Sequence, residues 1–247
     1  MKLRHFLLCI AALWAFTGCD RVIKIYEPAP LNSSPLGQDF SKPIQDIVSP
    51  AILETLKKNG QTINDGQTPP NIEGIYVFSK QVIIGSNQQE DQDSLHLKIY
   101  RDYKYRFYGQ TNNNATIKVD EKSFEGSSIA TGKNGFVSGK GNLFTVFIES
   151  LGTSNINKNG KTYTVTLRQL NTYSGEITPA GIKNLVTSFY LKSKSADPEN
   201  AIVDVGTVRV FTDKDGFSEK TNTFRLAAPE YYTGTKSVAI PQFYSSQ

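Results

Sequence analysis

The sequence predicts a mainly β protein: an antiparallel up-and-down β-barrel of about ten short strands, preceded by one short N-terminal helix. Three observations predict it. Between Asn71 and Phe217 lie only Pro179 and Pro198 of the 11 prolines, but 14 of the 19 glycines. A strand ladder excludes proline from its interior and uses glycine at bends and bulges. Apolar and polar residues alternate through successive stretches of this region, the period of a sheet with one buried face. Asn-Gly and Asp-Gly pairs recur between the stretches and supply the positive φ angles of tight turns. A sheet this long must close on itself or split into two layers to hide its edges. Frequent short hairpins favour closure into a barrel; a β-sandwich is the alternative.

At the N-terminus, Lys2, Arg4 and His5 precede an apolar run of 11 residues, Phe6 to Phe16. That run fits a secretion-signal core and is too short to cross a bilayer as a helix. Thr17-Gly18 then places small residues before Cys19. This order resembles a bacterial lipoprotein precursor, with Phe16 at the position where leucine is usual. The resemblance implies that residues 1–18 are a signal peptide cleaved before Cys19. It further implies a diacylglycerol thioether on Cys19 and a palmitate-type acyl chain on its amine. Several acyl chains together anchor a protein stably, whereas one holds it weakly.

Loss of residues 1–18 removes Met1, His5, Cys9 and Trp14, and with Lys2 and Arg4 gone the net charge falls from +4 to +2. One Cys and one His remain, which excludes an internal disulfide, a Cys-based zinc site and a two-His metal site. No metal or other cofactor is expected. So small a charge gives little attraction for nucleic acid, which is not expected as a partner.

Residues 19–43 carry Pro28, Pro30, Pro35 and Pro43 among Asn, Ser and Gly. Proline extends a chain, so this segment reads as a lipid-anchored tether. Residues 44–247 read as one domain, a helix plus the barrel. Ser49-Pro50 opens the helix, Ser as N-cap and Pro at the first helical position. Ile52, Leu53 and Leu56 share a face, Lys57 and Lys58 suit the C-terminal end of the dipole, and Gly60 stops the helix. It is too short to stand alone and must dock on the body.

The strands follow. Leu95, Leu97 and Ile99 alternate with His96, Lys98 and Tyr100; Tyr103, Tyr105 and Phe107 with Lys104 and Arg106; Phe144, Val146 and Ile148 with Thr145 and Phe147. Tyr163, Val165 and Leu167 continue the pattern, as do Leu185 to Leu191 and Val203 to Phe211. Five separators are expected to be turns: Lys133-Asn134-Gly135, Lys140-Gly141-Asn142, Lys158-Asn159-Gly160, Asp197-Pro198-Glu199-Asn200 and Asp213-Lys214-Asp215-Gly216.

Two stretches carry a second resemblance. Ile63-Asn64-Asp65-Gly66, followed by Pro69-Pro70-Asn71-Ile72-Glu73-Gly74-Ile75-Tyr76, resembles bacterial envelope lipoproteins in which a helix and a PPNIEG-like entry precede a β-rich body. The run from Gly135 to Val146, with Phe136-Val137-Ser138-Gly139-Lys140-Gly141 at its centre, is similar to the same group. By architecture alone the body is similar to the lipocalin or calycin class of small ligand-binding barrels. The Gly-x-Trp signature of lipocalins has no counterpart, because Trp14 is the only tryptophan.

No residue pattern announces catalysis. His96 lacks a G-x-S-x-G or comparable partner and reads as a surface or lumen histidine. Asp213, Asp215 and Glu219 suggest calcium, but Gly216 directly follows the second Asp and breaks the EF-hand register, so a hairpin turn is expected. Lys98 to Tyr108 mixes aromatic and basic residues and reads as cross-strand packing with snorkelling Lys, and as the first place to seek a ligand. Glu149 and Asp204 lie in strand-like stretches, and only closeness in space would make them a glycosidase pair. Asp93-Ser94-Leu95 resembles an O-glycosylation acceptor of bacterial envelope proteins. Tyr231, Tyr232 and Phe243 mark a candidate outer contact patch.

The expected function is therefore a lipid-anchored envelope lipoprotein that binds a small apolar or amphipathic ligand in its barrel. The alternative is a structural or accessory module of an envelope protein assembly. The membrane is a partner through Cys19. The lack of an acidic cluster after Cys19 favours an orientation facing the periplasm, and the anchor is expected at the outer membrane. An enzyme is not expected.

Overall fold

A computed structural model describes residues 40–100, 102–111, 116–123, 129–158 and 160–224. Cys19, Tyr231, Tyr232 and Phe243 lie outside them. Among the described residues two α-helices come first, α1 (Lys42–Ile47) and α2 (Pro50–Lys58). Eleven strands follow: β1 (Gln67–Thr68), β2 (Gly74–Phe78), β3 (Gln81–Ser86), β4 (Tyr103–Tyr108), β5 (Thr116–Ser123), β6 (Ile129–Lys140), β7 (Leu143–Lys158), β8 (Lys161–Thr178), β9 (Gly181–Lys194), β10 (Val208–Asp213) and β11 (Phe217–Thr221). A 3₁₀ helix spans Gln89–Ser94 between β3 and β4.

The strands form a closed antiparallel barrel of eight staves. β2 and β3 are one stave interrupted at Ser79-Lys80, because both run antiparallel to β10 and β11 in the same direction. β10 and β11 are likewise one stave, both pairing with β9. Each of β4 to β9 pairs with its neighbour in sequence, and the β10–β11 stave closes the ring on β2–β3. The short β1 lies outside this meander, parallel to β6.

Alternation decides what faces in. Tyr76, Phe78, Tyr103, Tyr105, Phe107, Phe144, Val146, Ile148, Tyr173, Leu185, Phe189 and Phe211 are buried in one interior cluster. Ile72 plugs one end, while Leu95, Ile202 and Val203 cover the other. A second apolar cluster lies outside the wall. Phe40, Ile44, Val48, Leu53 and Leu56 dock on Phe147, Leu170, Val186, Val208 and Val210, which point outward from β7 to β10. Each such fully buried side chain contributes roughly 1.5–3 kcal/mol, more than enough to hold helices too short to persist alone. Ser49 Oγ accepts the Ile52 N–H at 3.3 Å, as its N-cap position requires.

Several expectations are corrected. Among the described residues there are two short α-helices and a 3₁₀ helix, not one helix, and Phe40, within the stretch read as a tether, packs against Phe147. Leu95 to Tyr100 is not an alternating strand. Arg209 draws Asp91 inward, so the chain coils above the barrel end, and His96 sits exposed in a turn at φ 61°. Lys133-Asn134-Gly135 is not a turn; β6 runs straight through it, and a Cβ on Gly135 would lie 2.9 Å from Ile148 Cδ1. Val203 to Thr207 is a loop, and the strand starts at Val208. Asp213 to Gly216 does form a turn, closed by Gly216 N–H to Asp213 O at 3.1 Å. It bulges out of a continuing stave instead of reversing the chain.

The stretches Ile63 to Tyr76 and Gly135 to Val146 are bonded to each other. After α2 the chain crosses the outside of the barrel as a strap. Asn64 N–H donates to Thr145 Oγ1 at 2.7 Å, Asn64 Nδ2 to Phe144 O at 2.9 Å, and Ser138 Oγ to Asn64 O at 2.5 Å. Gly139 N–H then donates to Gly66 O at 3.0 Å. Gly139 has φ 151°, and a Cβ there would sit 2.2 Å from Leu143 O, so only glycine fits. The Pro69 to Gly74 segment turns under the barrel end and inserts Ile72, held by Gln110 through Ile72 N–H at 2.9 Å and Pro70 O at 2.8 Å.

Candidate functional site

The interior contains a polar layer among its aromatic rings. Glu121 continues the inward phase of Ile117 and Val119 on β5. Its Oε1 accepts the Tyr173 hydroxyl in a short hydrogen bond and Asn171 Nδ2 at 3.1 Å. Asn171 Nδ2 also reaches Ser150 Oγ at 3.3 Å. Burial pushes the Glu121 carboxyl above its ordinary range, against the lowering pull of the Tyr173 and Asn171 hydrogen bonds. The Tyr173 and Tyr105 hydroxyls are raised well above theirs, first by burial and then by the Glu121 charge. These groups and Thr187 surround a cavity of about 10 Å³. That is room for about one water.

A second polar group lies where the barrel closes. Asp213 Oδ2 accepts Ser79 N–H at 3.2 Å from the first stave and Ser218 Oγ at 2.9 Å from the last. It thus ties together the interruptions of both staves. Burial, with Asp215 alongside, raises its carboxyl to about 7 despite the Ser218 and Ser79 hydrogen bonds. At the end covered by the 3₁₀ helix, Arg209 is 2 % exposed; its Nε donates to Asp91 at 2.7 Å and its Nη2 to Glu90 at 3.3 Å. Ser86 Oγ donates to the same Asp91 oxygen at 2.5 Å.

At the opposite end, the strap and the turns at Asn142 and Pro179 border an open cleft of about 540 Å³. Asn71, Glu73, Tyr76, Thr178 and Lys220 are among the residues that line it. Burial pushes the Tyr76 hydroxyl up to about 12, and that hydroxyl donates to Ile72 O at 3.1 Å.

The structure disperses most of the residues singled out in the sequence. In the aromatic-basic stretch, Tyr100, Tyr103, Tyr105 and Phe107 are core residues. Lys98 lies over the Tyr100 ring at 5.1 Å and Arg106 over Tyr108 at 4.8 Å, both outside the lumen. Arg106 also pairs with Asp120 on the outer wall. Glu149 is held on that wall by Lys192 and Arg168, whereas Asp204 is an exposed loop residue 3.7 Å from Lys194. Ser94, at the end of the 3₁₀ helix, donates its hydroxyl to Asp91 O at 3.0 Å. Among the described residues, no three His, Cys, Asp or Glu side chains are placed to hold a metal, and no helix is long and apolar enough to cross a membrane.

Sequence reasoning singles out Asp213 but reads it as part of a hairpin turn; it misses Glu121, Asn171 and the Arg209–Asp91 pair as functional groups. A signal exists for two of them: Glu121 and Arg209 occupy inward positions in their strands, where a charge must find a partner. No protein-family model, curated protein or solved structure matches the chain.

Proposed function

We propose that the chain is a lipid-anchored lipoprotein of a bacterial cell envelope, held by Cys19 at the outer membrane facing the periplasm, and that its barrel is a structural or accessory module of an envelope protein assembly. The observation that carries the choice of module over carrier is the packed interior. Tyr76, Tyr105, Tyr173, Phe78, Phe107, Phe144 and Phe211 are fully buried there, and the cavity beside Glu121 has room for about one water. Ligand pockets are typically about 300–1,000 Å³. A small apolar ligand in the lumen would have to displace these rings. The anchor rests on the order of basic, apolar and small residues before Cys19.

The anchor is tested by metabolic labelling with a palmitate analogue. The natural chain takes the label and sediments with membranes, and Cys19→Ala loses both. Crosslinking in intact cells tests the module, with a defined protein partner expected.

A second reading has one observation in its favour. The cleft under the strap, at about 540 Å³, is of ligand size and mixes Glu73, Lys220 and amide groups with Tyr76. A small amphipathic ligand would be held there, at the barrel end. Lys220→Glu would weaken such binding without disturbing the lumen.

A further inference from the structure

The seam that closes the barrel contains buried polar atoms with nothing to bond. Asp213 is 2 % exposed, and while its Oδ2 serves Ser79 and Ser218, its Oδ1 has no partner apart from the Asp215 carboxyl beside it. Gln81 stands opposite Asp213 in the antiparallel register. It is completely buried, and neither its Oε1 nor its Nε2 has a partner. Directly opposed residues of an antiparallel pair present their side chains to the same face. Buried polar groups in folded proteins are almost always satisfied, so adjacent orphans point to a missing ligand.

Asp215 adds a third oxygen donor. It lies against the Asp213 carboxyl, and its own Oδ1 accepts Phe217 N–H at 3.0 Å, which fixes its orientation at the rim of the bulge. Asp215 is exposed, so the set opens to solvent on that side. Two carboxylates and a carboxamide form an all-oxygen donor set, the preference of hard cations, with no thiolate or imidazole to suit a softer metal. The arrangement is not an EF-hand, and Glu219 takes no part: it is exposed on β11, paired in register with Gly181.

We propose that the bulge between β10 and β11 binds one hard divalent cation of the calcium class, with Asp213, Asp215 and Gln81 as its side-chain ligands. Calcium takes six to eight oxygens, so water and backbone carbonyls fill the remaining positions. So few protein ligands place the affinity at about 10⁻⁴–10⁻³ M, the range of extracellular modules. Magnesium, which demands stricter octahedral geometry, binds more weakly. The bound ion staples the last stave to the first.

The test uses the full chain, stripped with chelator and titrated with calcium chloride by calorimetry, with Tm followed in parallel. The expected result is one calcium per chain and a rise in Tm at 10 mM calcium that 10 mM magnesium does not match. Asp215→Asn keeps the acceptor for Phe217 N–H and lies at the surface, so it folds; it should lose calcium binding at least tenfold. Gln81→Leu, which removes the amide, should lose it as well. No calcium-dependent heat or Tm shift in the natural chain overturns the proposal, and so does a shift of equal size in Asp215→Asn.

Discussion

The β7–β8 hairpin and the closing seam are made of the same kind of ladder and differ in almost every respect. In the hairpin every residue from Leu143 to Lys158 has a partner, from Glu176 back to Lys161, without a register shift. At the seam the pairing between β10–β11 and β2–β3 is split, with the register shifting at Val210/Phe211 and breaking between Asp213 and Lys220. The hairpin strand β7 presents Phe144, Val146 and Ile148 to the lumen, whereas the seam sets the buried polar groups Arg209, Asp213 and Gln81 among Phe78, Ile83 and Phe211. A local hairpin forms its contacts between near neighbours. The seam joins residues more than a hundred positions apart and must recover the cost of closing that loop. Closure therefore draws on a few polar groups, of which Arg209 and Asp213 have specific partners.

The largest effect should come from the charged end of the seam. Arg209→Ala leaves Asp91 buried without its cation and should destabilise the fold by about 3–5 kcal/mol in urea unfolding. A loss under 1 kcal/mol would mean that the pair is a passenger. Next, Gly85→Ala places a Cβ 1.9 Å from Asn59 O, where α2 ends against the outside of the first stave. Such overpacking should cost about 1–3 kcal/mol and loosen the helices, which limited proteolysis near Asn59 would report.

pH separates the two ladders further. The Asp213 carboxyl is raised in the folded chain from the ordinary 3.8 to about 7. The folded state then holds this proton more tightly than the unfolded one, so the stabilisation is full below about 3.8 and is lost as pH rises through about 7. With chelator present, Tm should fall across that window, and Asp213→Asn should flatten the fall. An unchanged slope in the variant would remove Asp213 from the explanation. Glu121 is raised in the same direction, so a residual slope is expected from the lumen. The smallest effect belongs to the hairpin's outer face. Arg168→Ala breaks a pair with Glu149 at 2.7 Å in which Arg168 is more than half exposed. It should change stability by no more than about 1 kcal/mol.

The same contrast explains what is legible in the sequence. β4, β7 and β9 follow their alternation because their inward positions are almost all apolar or aromatic, with Thr187 on β9 an exception. The helix at Ser49-Pro50 is legible because its cap and its apolar face are local features. Leu95 to Tyr100 alternates equally well, yet a distant pair, Asp91 with Arg209, pulls the preceding segment into a 3₁₀ helix and spoils the strand. Asp213 to Gly216 carries correct turn chemistry, but whether a turn reverses a strand or bulges from one depends on β9 and β2, far away in sequence. Gly135 looks like a turn residue and is instead the place where Ile148 passes close by. The stretches Ile63 to Tyr76 and Gly135 to Val146 stand out in the sequence, but not as a strap and the strand it bonds to. Buried polar groups such as Gln81 and Asn171 leave no trace in any local pattern.

The most direct test of the packed barrel as a tethered module is native mass spectrometry of the full-length protein, extracted in mild detergent from its own envelope. The predicted result is the acylated chain in complex with a protein partner, with no stoichiometric organic ligand. A stoichiometric organic ligand on every chain, with no protein partner, would contradict it.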